Sequence, residues 1–294
     1  MGIVNRTPDS FFDGGCYLDD HGAHARIKQL FREGADIIDV GAESTRPGAA
    51  AIDAPAQIER IGGAVRQIVD EGMIASVDTT LPAVAAYALD EGATMVNSVS
   101  LDTAATLGAL AARYDADLVL THCRGPMSDM AGFSQYADDA YEALLDEVVE
   151  EWRQAADEAV NAGLQPSKLI FDPGLGFTKN THQSLTLCVA LSELKQRLGV
   201  RVLVGPSRKS YIAMAIAQHE GAEIAAASER LGGSIAAALD LARQGADMLR
   251  VHDVAEVQQA LRFAAILEDH HRERRSKPDG LTQSKLVGPE APRV

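Results

Sequence analysis

The phrase EGADIIDV (33–40) holds the pattern on which the predicted fold depends. A small or acidic turn leads into a short apolar run, and a polar residue closes it. Three later phrases repeat the pattern: EGATMVNSV (91–99), DADLVLTH (115–122) and QGADMLRVH (244–252). An Ala/Leu-rich stretch with helical spacing precedes each, often with a glycine where a helix needs its C-terminal stop. The repeat predicts a unit of helix, glycine stop and buried parallel strand.

Eight strands are predicted when the remaining apolar runs are added. They cover 2–5, 36–40, 73–78, 95–98, 117–122, 168–172, 201–205 and 247–252, with a helical pattern between each consecutive pair. Eight such units predict an α/β protein with a single domain, a (β/α)₈ TIM barrel over 1–269. An open doubly wound sheet is the rival, disfavoured because no G-x-G-x-x-G follows the first strand. Residues 270–294 lose the periodicity and are predicted to form a disordered tail.

Composition limits the partners that this chain can take. Its 294 residues include 27 basic and 42 acidic ones, a formal net charge of −15, which disfavours nucleic acid and anionic membranes as partners. An anionic small molecule would need a local cationic pocket. The cysteines Cys16, Cys123 and Cys188 are far apart and form no C-x-x-C pair, so a reduced cytoplasmic protein is predicted. No apolar run reaches the ~18 residues of a membrane span.

Polar side chains stand at the carboxyl ends of the predicted strands. In a (β/α)₈ barrel these ends and the loops after them form the active site. The residues concerned are Asn5, Asp39, Asp78, Asn97, His122, Asp172, Arg250 and His252. Strand ends also turn polar where they meet solvent, but this concentration of amide, acidic and basic groups favours a polar pocket. Arg250 and His252 should share one face of the last strand, because alternate strand residues do.

Two loops after the strands carry groups suited to a ligand. GAESTRPGAAA (41–51) offers Thr45 and Arg46, a hydroxyl and a guanidinium that can grip an anion. DPGLGFTKN (172–180) contains glycines that let the backbone turn tightly and approach a ligand.

A third loop, GPSRKS (205–210), opens a helix with two consecutive cations, Arg208 and Lys209. Cations are disfavoured at the N-terminal end of the helix dipole. Their position therefore suggests that both serve a ligand.

These residues form two chemical groups. Carboxylates and amides pair with the amino and ring N–H groups of a nitrogen-rich heterocycle, whereas hydroxyl and cationic groups suit a phosphate or pyrophosphate. The first group is Asp78, Asn97, Asp172 and Lys209, and the second is Asn5, Thr45, Arg46, Arg250 and His252. The sequence therefore predicts a ligand in which a heterocycle is joined to a diphosphate.

The stretches that carry these residues resemble, in order, the motifs of the dihydropteroate synthases of the folate pathway. They are GIVNRTPDSFFDGG, DVGAESTRPG, SVDT, VNSVS, DPGLGF, PSRKS and RVHDV. Seven ordered matches are specific, although one alone would be weak. The resemblance implies a (β/α)₈ barrel and a transferase that condenses 6-hydroxymethyl-7,8-dihydropterin pyrophosphate with p-aminobenzoate, giving 7,8-dihydropteroate and pyrophosphate. It also implies a homodimer.

The same resemblance implies a role for each matching residue. The pterin would be held by Asp78, Asn97, Asp172, Lys209 and Arg250, of which Asp172, Lys209 and Arg250 would be catalytic. The pyrophosphate would be held by Asn5, Thr45, Arg46, Arg250 and His252, with Mg²⁺ bound by Asn5 to neutralise the leaving group. The p-aminobenzoate would be held by Thr45, Arg46, Pro47, Phe177 and Ser210 once the first two loops close.

Several positions depart from the motifs of the family. Arg6 stands where a small or apolar residue is usual, Ser98 replaces an aspartate, and Thr121 and Cys123 change the stretch around His122. Two alternatives therefore stay open: a catalytically inactive paralogue that binds a pterin-like ligand, and a pterin-dependent methyltransferase domain. Such paralogues lose the glycine-rich sixth loop and the Ser-Arg-Lys loop, which this chain keeps. Methyl transfer would need no p-aminobenzoate site, to which the STRPG and SRK loops belong.

Overall fold

The computed structural model describes residues 1–7, 20–43, 52–125 and 134–276. Within these ranges strands and helices alternate along the chain. The strands are β1 Gly2–Asn5, β2 Ile37–Gly41, β3 Ile74–Asp78, β4 Met95–Ser98, β5 Asp117–Thr121, β6 Leu169–Asp172, β7 Arg201–Val204 and β8 Met248–Leu249. The helices are α1 Asp20–Glu33, α2 Ala54–Ile61, α3 Ala64–Asp70, α4 Pro82–Asp90, α5 Ala104–Tyr114, α6 Leu144–Asn161, α7 Thr181–Val189, α8 Leu191–Leu198, α9 Ser210–Glu220, α10 Leu231–Arg243 and α11 Val254–Ser276.

The eight strands form one parallel sheet that closes on itself. They pair in chain order from β1 to β8, and a parallel bridge joins Gly2 to Val251. At this seam the Ile3 amide donates to the Val251 carbonyl at 3.2 Å, and the Val251 amide donates to the Met1 carbonyl at 3.0 Å. The predicted (β/α)₈ barrel is therefore confirmed, and the strand order excludes the doubly wound rival.

Several strand bounds shift by one residue from the prediction, and two differences are larger. β8 is shorter than the predicted 247–252, because beyond Leu249 only the Arg250 amide, which donates to the Val204 carbonyl, and the bridge at Val251 continue the pairing. α11 continues to Ser276, past the predicted barrel limit at residue 269. The last turns of α11 are exposed, so they lack the apolar periodicity on which the prediction relied. Their charged residues are nevertheless compatible with a helix. Residues 277–294, the remainder of the predicted tail, lie outside the described residues.

Alternation along the strands divides the apolar residues between two cores. One set points outward and packs under the helices, as Ile38 and Val40 of β2 do. The other set points into the barrel and forms an apolar floor, consisting of Ile37, Met95, Val119, Ile170 and Leu203. Successive strand residues face opposite sides, so the next inward positions above this floor belong to the polar strand-end residues. None of the helices in the described ranges has the length and apolar character that a bilayer crossing requires.

Close packing of α5 against α6 depends on Gly108. A Cβ at this position would lie 2.7 Å from the Cα and Cβ of Ala159. A Gly108→Ala protein should therefore lose roughly 1–3 kcal/mol of unfolding free energy, because the helices must separate. Urea unfolding followed by the fluorescence of Trp152, the single tryptophan, measures this. Gly232→Ala is the control, because its Cβ would meet nothing within 4 Å; an equal loss there would contradict the packing argument.

Candidate active site

A buried carboxylate, Asp39, lies directly above the apolar floor. It is fully buried and accepts three hydrogen bonds from three other strands or strand ends. The donors are Ser76 Oγ at 2.6 Å, Asn97 Nδ2 at 3.0 Å and Arg250 Nε at 2.6 Å. Asp39 therefore fixes the orientation of two predicted ligand residues, Asn97 and Arg250. The sequence placed it among the polar strand ends but assigned it no role.

Arg250 joins two carboxylates at the carboxyl end of the barrel. Its Nε contacts Asp39, and its Nη2 donates to Asp78 Oδ2 at 2.7 Å. Burial raises the pKa of Asp78 to about 7, against the opposing effect of the Arg250 cation. Burial alone would lower the pKa of Arg250, but Asp39 and Asp78 raise it. The guanidinium is therefore charged and held in one orientation at this end of the barrel.

Asn97 has one side-chain atom left for a ligand, its amide oxygen Oδ1. Its Nδ2 is used by Asp39, whereas its Oδ1 is buried and has no hydrogen-bond partner in the part of the chain that the structure describes. A buried acceptor without a partner costs free energy. Asn97 also pairs with Asp78 in the β3–β4 register. The arrangement offers a ligand one acceptor beside a carboxylate, as N–H groups of a heterocycle require.

Asp172 ends β6 and begins the glycine-rich loop. Its Oδ1 accepts from the Gly174 amide at 2.7 Å, and burial raises the pKa of its carboxyl. Gly174 has a φ of +67°, and a Cβ there would lie 2.0 Å from the His122 carbonyl oxygen. Only glycine fits this close crossing of β5 and the loop. The predicted tight turn is therefore present, and it holds Asp172 at the pocket.

Lys209 lies over the face of Phe177. Its Nζ is 3.6 Å from the ring centroid, a cation–π distance. Burial lowers the pKa of Lys209 to about 8, while the Asp172 and Asp78 carboxylates act in the opposite direction. Lys209 immediately precedes α9, so the helix N-terminus adds to the positive potential. The loop after β6 and the loop after β7 thus bring an aromatic ring and a cation together.

Arg208 serves the fold instead of a ligand, contrary to the prediction. Its side chain is buried, and its Nε and Nη2 bind both carboxylate oxygens of Asp253 at 2.8 and 2.7 Å. Its Nη1 donates to the carbonyls of Ala227 and Ser228. The helix-dipole argument therefore stays a prediction for Lys209 alone. Asp253, the partner that explains Arg208, lies 45 residues away in sequence and could not be found from the local pattern.

The remaining described candidates lie around this centre. Ser210 Oγ is 3.0 Å from Ser134 Oγ. His252 Nδ1 is 3.0 Å from Ser207 Oγ, and its carbonyl accepts from Arg26 at 2.6 Å. Burial and nearby cations lower the pKa of His252 to about 3, so its ring is neutral at pH 7. Thr45, Arg46 and Pro47, which were predicted to bind pyrophosphate and p-aminobenzoate, lie outside the described residues.

The divergent positions are buried around the pocket. The Arg6 side chain is buried, and its amide donates to the Gly41 carbonyl at 2.8 Å. Ser98 Oγ donates to the Ser100 carbonyl at 3.1 Å, so it shapes the turn after β4. Cys123 packs with Val99 and Phe177 in a small apolar cluster. These buried substitutions are accommodated while the contacts of the polar centre stay formed.

The donor set at β1 bears on the predicted magnesium. No group of three or more His, Cys, Asp or Glu side chains suited to a metal occurs in the described ranges. Asn5 ends β1 half-buried, and its amide oxygen is the hard donor type that Mg²⁺ accepts. Mg²⁺ keeps several waters and often binds through substrate phosphates plus one or two protein groups. The residues therefore fit a magnesium ion that enters with a diphosphate.

A second polar cluster, around Lys179, was not predicted. Lys179 is fully buried, with its Nζ 2.9 Å from His122 Nδ1, and His122 Nε2 is 3.1 Å from Glu151 Oε2. Because the Glu151 carboxylate has a pKa lowered to about 2 and only accepts, the His122 proton lies on Nε2. Arg124 also binds Glu151 and reaches Glu147 at 2.5 Å. A lysine in a loop gave no sequence signal of burial.

Burial lowers the pKa of His122 to about 4 from an unfolded value of 6.5. The unfolded chain therefore binds the extra proton first, and the stability due to neutral His122 is present above pH 6.5 and lost as the pH falls towards 4. Its contribution should be roughly 3 kcal/mol. Urea unfolding of wild type and His122→Gln between pH 7 and 4.5 tests this, because the variant lacks the titrating ring. The same loss on acidification in both proteins would contradict it.

Comparisons with known proteins agree with this geometry. A family model described as pterin binding enzyme matches residues 1–252. The dihydropteroate synthase of Synechocystis sp. is 40% identical over 271 residues, covering 91% of this chain and 89% of that protein. The structure of the Yersinia pestis dihydropteroate synthase with a sulfonamide drug has a TM-score of 0.82 at 32% identity, covering 91% and 93% of the two chains. That of the Xanthomonas albilineans enzyme with 4-aminobenzoic acid has 0.78 at 36%, covering 91% and 92%.

Proposed function

The chain belongs to the pterin binding enzyme family, and we propose that it is a transferase of the dihydropteroate synthase type. It condenses 6-hydroxymethyl-7,8-dihydropterin pyrophosphate with p-aminobenzoate to give 7,8-dihydropteroate and pyrophosphate. The identity of 40% to a dihydropteroate synthase over most of both chains supports this reaction. The single structural observation that carries it is the buried, unpartnered Oδ1 of Asn97 beside Asp78.

The pterin is assigned to the polar centre of the barrel. Asn97 Oδ1 accepts from a ring or amino N–H, and the carboxyls of Asp78 and Asp172 pair with the other nitrogen-bound hydrogens. Their pKa values are raised by burial, that of Asp78 to about 7, so either carboxyl can also hold a proton when a ring nitrogen must accept one. Lys209 and Arg250 complete the set. The catalytic assignment of Asp172, Lys209 and Arg250 rests on this geometry.

The pyrophosphate is assigned to the cations and donors around β1, β2 and β8. Arg250 and neutral His252 meet it from the last strand, with Asn5, Thr45 and Arg46 from the first two loops. Asn5 is the protein group that would hold Mg²⁺. When bound, the ion neutralises charge on the leaving diphosphate.

The p-aminobenzoate is assigned to the surface between the loop after β6 and the loop after β7. Phe177 supplies an aromatic face, Lys209 a cation over that face, and Ser210 a hydroxyl for the carboxylate. Thr45 and Pro47 contribute from the second loop. That the Xanthomonas albilineans enzyme was crystallised with 4-aminobenzoic acid supports such a subsite here.

The chemistry follows from these positions. The bond between the pterin methylene carbon and the diphosphate oxygen breaks, and its electron pair leaves with the pyrophosphate. Asp78 and Asp172 tolerate the positive charge that develops on the pterin methylene. The aryl amine nitrogen then forms the new C–N bond and releases one proton. Because this amine is a weak nucleophile, its alignment over the methylene matters more than its activation.

A homodimer in the cytoplasm completes the proposal. The last helix exposes large apolar side chains, with Phe263 60% and Ile266 57% accessible, and such a surface suits a second copy. Among the described residues, Cys123 and Cys188 are buried and not in disulfide bonds, as expected in a reducing compartment. Sedimentation of the purified chain tests the oligomeric state.

Complementation of a synthase-null strain tests the function. The gene should restore growth without added folate products, and the purified protein should release pyrophosphate only when p-aminobenzoate and Mg²⁺ are both present. Lys209→Ala serves as the inactive control. Bound pterin without product, and no rescue, would instead favour the silent paralogue with Arg6 in its pocket. Methyl transfer from methyltetrahydrofolate to a corrinoid partner would favour the methyltransferase alternative.

A further inference from the structure

Lys179 makes an unusual set of contacts for a lysine. Its side chain is fully buried, and its Nζ has four acceptors within 3.4 Å. They are His122 Nδ1 at 2.9 Å and the carbonyl oxygens of His122 at 3.0 Å, Phe177 at 3.1 Å and Gly174 at 3.4 Å. All four are neutral groups, since the pKa of the His122 ring is lowered to about 4. Burial lowers the pKa of Lys179 to about 7, so this amine has lost most of the proton affinity that a lysine has in water. A lysine in such surroundings is costly for the fold, so fold stability alone is a poor reason for it.

The four acceptors belong to two neighbouring segments of the barrel. His122 follows the end of β5, whereas Gly174 and Phe177 lie in the glycine-rich loop after β6. One ammonium therefore ties this loop to the adjacent strand end. The crossing is close, because a Cβ on Gly174 would lie 3.3 Å from Lys179 Nζ. The loop therefore packs directly against the lysine side chain.

Phe177 is the side chain that this tie positions. Asp172 is held mainly by its strand, because it lies on β6 and pairs with Thr121 in the β5–β6 register, and it contacts the loop through the Gly174 amide. Phe177 lies beyond the strand, and its carbonyl accepts directly from Lys179. Its ring supports Lys209 on the far side of the pocket. A change at Lys179 should therefore reach the p-aminobenzoate surface before it reaches the pterin centre.

The lysine is itself held in place from outside the pocket. His122 presents Nδ1 to it, because the Nε2 proton is directed at Glu151. Glu151 is in turn bound by Arg124. Burial would raise the pKa of Glu151, but the bonds from His122 and Arg124 lower it to about 2, so its negative charge persists. The chain from Arg124 to Lys179 gives the ammonium a fixed position.

We propose that Lys179 is a positioning residue for the condensation, holding the glycine-rich loop so that Phe177 takes its place in the p-aminobenzoate subsite. This inference rests on the function proposed above and specifies how one substrate subsite is built. Lys179 touches neither substrate; it acts through the backbone of Gly174 and Phe177.

The test compares two lysine variants in the purified full-length enzyme. Lys179→Met keeps the length of the side chain and removes its donors. Lys195→Met is the matched control, because Lys195 Nζ also ties a glycine carbonyl, that of Gly245 at 2.7 Å, at the opposite end of the barrel strands. Steady-state kinetics with each substrate varied in turn, and urea unfolding followed by Trp152 fluorescence, are measured for both.

Lys179→Met should raise the KM for p-aminobenzoate at least about tenfold, while the KM for the pterin pyrophosphate changes less than about threefold. A merely structural role would lower the folded fraction and leave both KM values unchanged. Lys195→Met should leave both values at the wild-type level. Equal changes in the two KM values, or no change in folded Lys179→Met protein, would overturn the positioning role.

A second pair of variants covers a Lys179→Met protein that does not fold. Glu151→Gln weakens the chain that holds Lys179, whereas Glu147→Gln removes the other carboxylate on Arg124 without touching His122. Glu151→Gln should raise the KM for p-aminobenzoate by a smaller factor, about threefold, and Glu147→Gln should not. Equal KM values in these two variants would refute the role of Lys179. An inactive wild type would instead refute the proposed function, and the positioning role with it.

Discussion

An Arg250→Met protein is expected to lose about 3–5 kcal/mol of unfolding free energy together with nearly all condensation activity. Arg250 Nε and Nη2 hold Asp39 and Asp78 at 2.6 and 2.7 Å. Removing the shared cation leaves the Asp39 carboxylate without its ion pair in a buried layer, which is the costly way to break one. Asp78, whose pKa burial raises to about 7 even beside Arg250, takes up a proton. Asp39 would also lose one of its three hydrogen bonds, so the network that orients Asn97 would be weakened.

Urea unfolding at pH 7 and pyrophosphate release measure the two losses. Arg201→Met is the matched control, because Arg201 also binds a carboxylate with two nitrogens, at 2.7 and 2.9 Å to Asp117, but its side chain is 39% exposed. That exposed pair should be worth no more than about 1 kcal/mol. Adding Asp78→Asn to Arg250→Met should recover part of the stability, because an amide replaces a buried carboxyl that must take up a proton on folding. Similar losses in the two arginine variants would contradict the buried-network account.

A Lys209→Ala protein is expected to stay folded and to lose roughly 10²- to 10³-fold in kcat/KM. Burial lowers the pKa of Lys209 to about 8, so the folded chain already bears a cost for this cation, and removing it should not lower the unfolding free energy. The activity loss has a different origin. The proposed function assigns the cation over the Phe177 ring to the substrates, and alanine removes that cation.

Circular dichroism, unfolding and initial rates separate these effects for Lys209→Ala. Arg208→Ala is the informative neighbour, because it removes the bidentate contact to Asp253 and should reduce stability before activity. Adjacent cations in one loop thus predict opposite phenotypes. Wild-type kcat/KM in the Lys209 variant would remove Lys209 from the site.

The barrel could be predicted because its signals are local. The repeated pattern of EGADIIDV places a glycine stop, an apolar run and a polar residue within eight positions. Each helix–strand unit can therefore be predicted without knowledge of the others. Alternation then gives the inward face, with Ile37 in the floor and Asp39 above it. Strand ends meet at one end of any such barrel, which is why most of the candidate residues in the described ranges are close together.

The contacts of the polar centre could not be predicted in the same way. Asp39 gains its importance from donors that lie 37, 58 and 211 residues away in sequence. Arg208 was assigned to a ligand because the helix dipole is a local signal and Asp253 is not. Lys179 stands in a polar loop, where a lysine normally faces solvent. In each case the sequence shows the type of the residue, but its partner is brought to it only when the barrel closes.

The seam between Gly2 and Val251 has a consequence for protein synthesis. The outer edge of β1 stays unpaired until about 250 residues have been translated, which takes roughly 12–50 s at bacterial and eukaryotic elongation rates of about 5–20 residues per second. An unpaired strand edge is a site for association with other chains. Arg250 follows Asp39 by 211 residues, so Asp39 and Asp78 are synthesised long before their counterion. The first strand of the nascent chain should therefore be exposed to association until β8 is made and pairs with it.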